Sequence, residues 1–236
     1  MLGTFVICFT NVQDMYGKIW NRDFILLTLA NFFISITYYA LISSLPVYLV
    51  SELHAAETEV GIVLAAYTIA SVLIRPFSGY ALDRFGRRVV FLMALIFYTA
   101  LFAGYLIALS IVALIILRFA QGLTWGVATI SGSTIAVDII PKTKRGEGIG
   151  YFSLSTTIGM SVGPVIGLLV TQQGGYTALF ALSFLISMAG LVFASSIRMP
   201  KRLTVGKDID FKLSNLFHGK SVLPSLNLLI IMTSYG

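Results

Sequence analysis

Charge is scarce in this chain. Of 236 residues, Asp, Glu, Lys and Arg make up 11% and hydrophobic residues 57%. Soluble globular chains carry about 25% charged residues, so a water-soluble domain is close to excluded. A disordered chain, which needs high charge and low hydrophobicity, is excluded by the same numbers. One cysteine rules out a disulfide framework and a cysteine-based metal site. The two histidines, His54 and His218, stand too far apart for a local metal motif. There is no HExxH, no P-loop and no acid pair inside an apolar run, so neither intramembrane enzyme chemistry nor ATP-driven transport has its residues. No metal or organic cofactor is expected.

What is present is long apolar runs. A membrane helix needs about 20 mostly apolar residues to cross roughly 30 Å of hydrocarbon. Six such runs occur: Phe24–Val50, Val60–Leu82, Val89–Leu109, Val112–Val137, Gly148–Thr171 and Thr177–Ile197. A seventh begins near Val222 and reaches Gly236, too short a stretch to span comfortably. The expected organisation is an N-terminal segment 1–23, a six-helix bundle 24–197, a basic loop 198–221 and a partial seventh helix 222–236. Residues 1–14 are expected to be a dispensable extension, or else part of that N-terminal segment.

The cations alternate. Fourteen of the sixteen Lys and Arg residues fall in the N-terminal segment and in the loops after runs two, four and six; the loops after runs one, three and five have none. By the positive-inside rule the N-terminus and the loop after run six are cytoplasmic. The net charge of +6 therefore has a topological cause, and nucleic acid is not an expected partner. The lipid bilayer is one. The other two cations, Arg75 and Arg118, lie inside runs, where a charge costs at least about 2.5–3.5 kcal/mol at mid-bilayer. Each is near enough to an end to snorkel.

Several local patterns carry chemistry. After run two comes Gly79-Tyr80-Ala81-Leu82-Asp83-Arg84-Phe85-Gly86-Arg87-Arg88. Topology needs the arginines but neither Asp83 nor the glycines. Gly79 would permit close helix approach, and Gly86 suits a tight turn. The loop after run four, from Asp138 to Glu147, offers acids to those arginines. The expected result is a charge network joining Asp83, Arg87, Arg88, Asp138, Arg145 and Glu147. In run four, Arg118 and Gln121 share a helical face, and Gly122 with Gly126 forms a small-xxx-small pair. In run five, Gly159, Gly163 and Gly167 recur every four residues, for close packing or a groove, and Pro164 is expected to kink the helix.

Together these stretches resemble the major facilitator superfamily. The first is similar to its motif A, the Arg118–Gly122 segment to motif B, and Gly159–Gly167 to motif C of efflux members, although Leu168 replaces the usual second glycine of the final pair. The resemblance covers about Trp20 to Gly236. It implies an all-α membrane protein, a six-transmembrane-helix bundle of two inverted three-helix repeats, with a partial seventh helix. It implies secondary-active efflux of a small molecule by alternating access, driven by a proton gradient. It assigns a cytoplasmic gate to Gly79, Asp83, Arg84, Gly86, Arg87 and Arg88, with Asp138, Arg145 and Glu147 in the counterpart loop. It assigns coupling to Arg118, Gln121 and Gly122, and an antiporter-type helix to Gly159, Gly163, Pro164 and Gly167. Many cation exporters of the family carry a carboxylate in the first span; this one has Asn31, Ser35, Thr37, Tyr38 and Tyr39 but no acid. Asn31, Tyr38, Tyr39 and Trp125 are candidate cavity residues, though most aromatics in such bundles are lipid-facing or interfacial. The family's second six-helix half is not in this stretch, so the expectation is a partial transporter, inactive alone, whose partners are its substrate and that missing half. The alternatives are a half-size homodimer pairing with a second copy, or a membrane interaction protein that moves nothing.

Overall fold

The computed structural model describes residues 19–107 and 110–198. Helix α1 runs Arg22–Ser51, α2 Glu57–Leu73, α3 Arg75–Phe85, α4 Arg87–Tyr105, α5 Ile111–Ile139 and α6 Arg145–Ser195, with a 3-10 turn at Lys142–Lys144 before α6. No strand occurs among the described residues. The N-terminal 1–18, the loop beyond Arg198 and the seventh run lie outside them.

Helix starts follow local chemistry. Asn21 Oδ1 accepts from Phe24 N at 2.8 Å, and Ser110 Oγ from Ala113 N at 3.2 Å, satisfying donors that a helix end leaves free. Glu59 reaches back to Ala56 N at 2.8 Å. Gly86, with φ 88°, is the whole connection between α3 and α4, a left-handed position that suits glycine.

Four described stretches are long and apolar enough to cross a membrane, and the bent pair α2–α3 makes a fifth. One of the four, Lys142–Ser195, would measure about 80 Å as a straight helix, far beyond one bilayer. It is two spans. Its backbone leaves helical geometry at Gly175 (φ 72°, ψ −175°), where the chain reverses. Before that point Gly159, Gly163 and Gly167 meet Ser35, Tyr39 and Ser44 of α1 in parallel order. After it, Tyr176 meets Tyr48, Phe193 stacks on Phe33, and Arg198 N donates to Asp23 at 2.9 Å, in antiparallel order. Six spans result: α1 is span one, α2–α3 span two, α4 span three, α5 span four, and α6 supplies five and six.

Pro76 and Pro164, both in apolar runs, behave differently from each other, and the kink expected at Pro164 is absent. Span two is bent by 46° between α2 and α3. Pro76, in the first turn of α3, cannot donate a backbone hydrogen bond across the joint at Ile74. Span five, by contrast, keeps helical dihedrals through Pro164, and the break comes at Gly175 instead. The neighbouring glycines press span five against span one, which supports the helix through the missing bond.

Two seams hold the bundle. Span five lies on span one so closely that a Cβ at Gly163 would stand 2.7 Å from Tyr39 Cβ and 3.0 Å from Ile36 O. Span four lies on span two the same way: a Cβ at Gly126 would meet Ser71 O at 2.7 Å, and one at Gly122 would collide with Tyr67 O. Exchanging the first three spans for the second three carries one helix pair into the other, as inverted repeats require. Gly79 makes no such contact; nothing lies within 4 Å of its would-be Cβ. Its face of α3 is exposed, so it mediates no close approach among the described residues.

Replacing Gly163 by leucine should lower thermal stability in detergent by about 1–3 kcal/mol through overpacking, whereas Gly79→Ala should stay within about 0.5 kcal/mol. Equal melting temperatures for Gly163→Leu and the parent would show that the span one–span five seam carries no stability.

Candidate functional site: a hydroxyl-lined groove above a buried arginine

Span four carries one stripe of polar and aromatic residues. Arg118, Gln121, Trp125, Thr129 and Ser133 follow at steps of three and four, which in a helix is a single face. Toward the basic end of the bundle this stripe opens onto a groove of about 470 Å³ lined by Asn31, Thr129, Ser133, Ser153, Thr156 and Thr157 among others. Asn31 Nδ2 donates to both Ser155 Oγ and Thr156 Oγ1 at 2.8 Å, tying span one to span five beside the groove. The wall is neutral: hydroxyls and one amide set among the apolar side chains of Ala136, Val137, Ile149 and Phe152, with no carboxylate.

Midway, aromatic rings close the stripe. Tyr38 stacks on Trp125 at 4.6 Å and on Tyr67 at 5.2 Å, with Tyr39 edge-on at 4.8 Å. Trp125 also borders a smaller crevice with Asn31 and Phe91. Of the four expected cavity residues, Asn31 lines the groove and Tyr38, Tyr39 and Trp125 form this stack.

Beyond the stack lies Arg118, 1% exposed. It does not snorkel. Its Nη1 donates to Gln121 Oε1 at 3.3 Å, and Tyr105 OH donates to the same oxygen at 2.9 Å. The guanidinium sits 5.6 Å from the Tyr67 ring centre and 5.9 Å from that of Tyr105, positions of cation–π attraction. Nε and Nη2 of Arg118, Nε2 of Gln121 and the Tyr67 hydroxyl are buried without a partner. Gly122 makes room for this cluster only indirectly, by letting spans two and four touch.

At the basic end the expected charge network is largely absent. Arg87 pairs with Asp138, joining spans three and four. Arg88 donates to the carbonyl of Ser195 at 3.0 Å, and Arg84 to Tyr80, with its cation over the rings of Tyr80 and Phe85. Asp83 and Glu147 are exposed and make no ion pair with a described residue; Arg145 Nε is buried without a hydrogen bond. Water solvates an exposed carboxylate almost as well as a surface partner does, so nothing forces Asp83 or Glu147 into the network.

Tyr67, Tyr105 and the hydroxyls of the groove are functional candidates that only the structure brings out. A signal was there: Thr129 and Ser133 continue the face that Arg118 and Gln121 begin. The letters Gly159-Met160-Ser161-Val162-Gly163 also spell the GxSxG spacing of a hydrolase elbow. Ser161, however, is exposed in mid-helix with its hydroxyl on Thr157 O at 3.2 Å, not on a strand-to-helix turn.

The profile of the Major Facilitator Superfamily matches residues 27–235. The chain belongs to this superfamily. Members of the superfamily are membrane transporters rather than enzymes, and this member is a multi-pass membrane protein. Among its relatives, Multidrug resistance protein 1 of Bacillus subtilis (strain 168) is 24% identical over 181 residues, covering 77% of this chain and 46% of the relative. The Staphyloferrin B transporter of Staphylococcus aureus (strain NCTC 8325 / PS 47) is 28% identical over 203 residues, covering 79% and 47%. The superfamily fold is seen in the crystal structure of the human organic anion transporter MFSD10, with TM-score 0.64 at 19% identity over 75% of this chain and 47% of that one. The chain thus spans about half the length of the curated relatives it matches.

The Arg87–Asp138 pair has side chains 35% and 16% exposed. A double-mutant cycle of Arg87→Gln and Asp138→Asn, read by thermal unfolding, should give a coupling of about 1 kcal/mol or less. Strictly additive single effects would show that the pair contributes no coupling.

Proposed function

We propose that this superfamily member works in secondary-active efflux of a small molecule, by alternating access, across the cell membrane. The observation that carries this is the groove with hydroxyls on spans one, four and five, which shares its face of span four with the Tyr38–Trp125 stack and a buried cation. Thr129 and Ser133 bond back to their own helix and so cost little singly, but a polar groove that gathers them beside Asn31 is the kind of surface a membrane bundle turns toward a cavity or another helix. The groove therefore needs an opposing wall of six spans, from the rest of the polypeptide or from a second copy. The six spans 24–197 by themselves move no substrate.

The name of one relative, a multidrug resistance protein, supports efflux. The glycines of span five support it as the motif C counterpart. The charge asymmetry of the loops supports a cytoplasmic N-terminus and a cytoplasmic Arg84–Arg88 turn. On that orientation Asp83 and Glu147, exposed and unpaired here, are the groups left for a latch with the opposing wall. A proton gradient is the proposed energy source, with Arg118 and Gln121 in the coupling role.

Orientation is checked by cysteine labelling in a Cys8→Ser background. An impermeant maleimide should modify Lys142→Cys only from the cytoplasmic face and Glu57→Cys only from the opposite face. Labelling of Lys142→Cys from outside would invert the bundle and remove the proposed direction.

A further inference from the structure

The proposed function leaves the buried charge of Arg118 without a counter-ion, and its geometry says what kind of ion is wanted. Every unpartnered group around it can donate: Nε and Nη2 of Arg118, Nε2 of Gln121 and the Tyr67 hydroxyl. The amide acceptor nearby, Gln121 Oε1, already takes two hydrogen bonds, and the phenol oxygens of Tyr67 and Tyr105 are neutral, so neither can compensate the charge. Nε and Nη2 lie on the same edge of the guanidinium, the edge that grips both oxygens of a carboxylate. That edge is idle, while the single bond made runs from Nη1 on the other side. A water could accept from two of these donors but would leave the charge uncompensated. No acid lies well inside any of the six spans to do so, and buried charges persist only when paired.

We infer that Arg118 is the anchor for a carboxylate-bearing substrate, held side-on by Nε and Nη2 with Gln121 Nε2 and the Tyr67 hydroxyl completing the shell. The ligand enters from the groove and displaces the Tyr38 ring, which separates groove from cation. Tyr67 and Tyr105, already against the guanidinium, supply flat apolar walls for the rest of the molecule. The substrate is thus an organic anion. The inference rests on the transport reading only for how the anion is delivered; the binding chemistry belongs to the cluster itself. An acidic side chain brought by an opposing wall is the other source of the same carboxylate.

Trp125 reports on the site, because it stacks on Tyr38. In a Trp20→Phe background it is the sole tryptophan. The full chain in nanodiscs is titrated with benzoate, benzamide and benzylamine at neutral pH. Benzoate should change Trp125 emission saturably, while the neutral and cationic analogues do not. Arg118→Ala should weaken benzoate by about tenfold or more, the usual loss for a charge-assisted hydrogen bond. Because that variant could misfold, Gln121→Glu is the second arm: it places a carboxylate three residues from Arg118, and should abolish the benzoate response while raising the melting temperature.

A benzamide response equal to that of benzoate overturns the inference. So does a benzoate response that survives both variants. A flat benzoate titration together with an unchanged melting temperature in Gln121→Glu means that a protein carboxylate already occupies the arginine, and overturns the substrate assignment. Failure of the transport reading looks different: vesicles in which the bundle, joined to an opposing six-span wall, still moves no substrate, while benzoate binding stays dependent on Arg118. Export of a cation with no benzoate response would do the reverse, keeping transport and removing the anion.

Discussion

A bilayer gives helices no hydrophobic reason to associate, because lipid tails are as apolar as leucine. Helices in it adhere where backbones come close enough for dense van der Waals contact, with interhelical hydrogen bonds such as those of Asn31 adding to it. In this bundle glycine supplies that closeness on two seams, Gly159, Gly163 and Gly167 of span five against span one and Gly122 with Gly126 of span four against span two. Everything else is positioned by those seams. They set the faces that span four and span five turn inward, and therefore where the groove hydroxyls, the aromatic stack and Arg118 stand.

The same solvent dictates how polar side chains are tolerated. Most hydroxyls in the spans bond to their own helix: Thr37 to Ile34 O at 2.7 Å, Ser78 to Ile74 O at 2.8 Å, Ser131 to Val127 O at 2.7 Å and Ser155 to Phe152 O at 2.6 Å. Back-bonded in this way they cost little. Arg118 cannot use that device, since it has five donors and nothing to accept with. A leucine there would pack with less penalty, so the buried arginine marks a position held for its charge rather than for packing.

Hydropathy and the alternation of cations made the six spans legible from the residues alone, because crossing hydrocarbon demands length and apolarity of each segment by itself. The glycine seams were legible for the same local reason: small residues every four positions form one face. Pro76 and Pro164 show where this fails. Both are prolines in apolar runs, yet one marks a 46° bend and the other none. The difference lies in neighbours: Pro164 is flanked by glycines pressed onto span one, whereas α3 is largely exposed. The gate suffered similarly. Charge spacing suggested six partners, but exposed acids at a membrane surface are content with water, and pairing depends on which helix ends face one another. At Arg118 the residue type and burial face were visible in the sequence; that its free donors share one edge was not, because it depends on Gln121 and Tyr105 folding onto the opposite nitrogen.

The reversal at Gly175 has a mechanical meaning. Spans five and six are joined by almost no loop, and span one is gripped by both, parallel to one and antiparallel to the other. Three helices so interlocked behave as a single wedge: none can slide or tilt without dragging its companions. Elastic give must then be sought across the bundle, at the Ile74 joint of span two, where the hydrogen-bond ladder is already interrupted and a change of angle meets the least resistance.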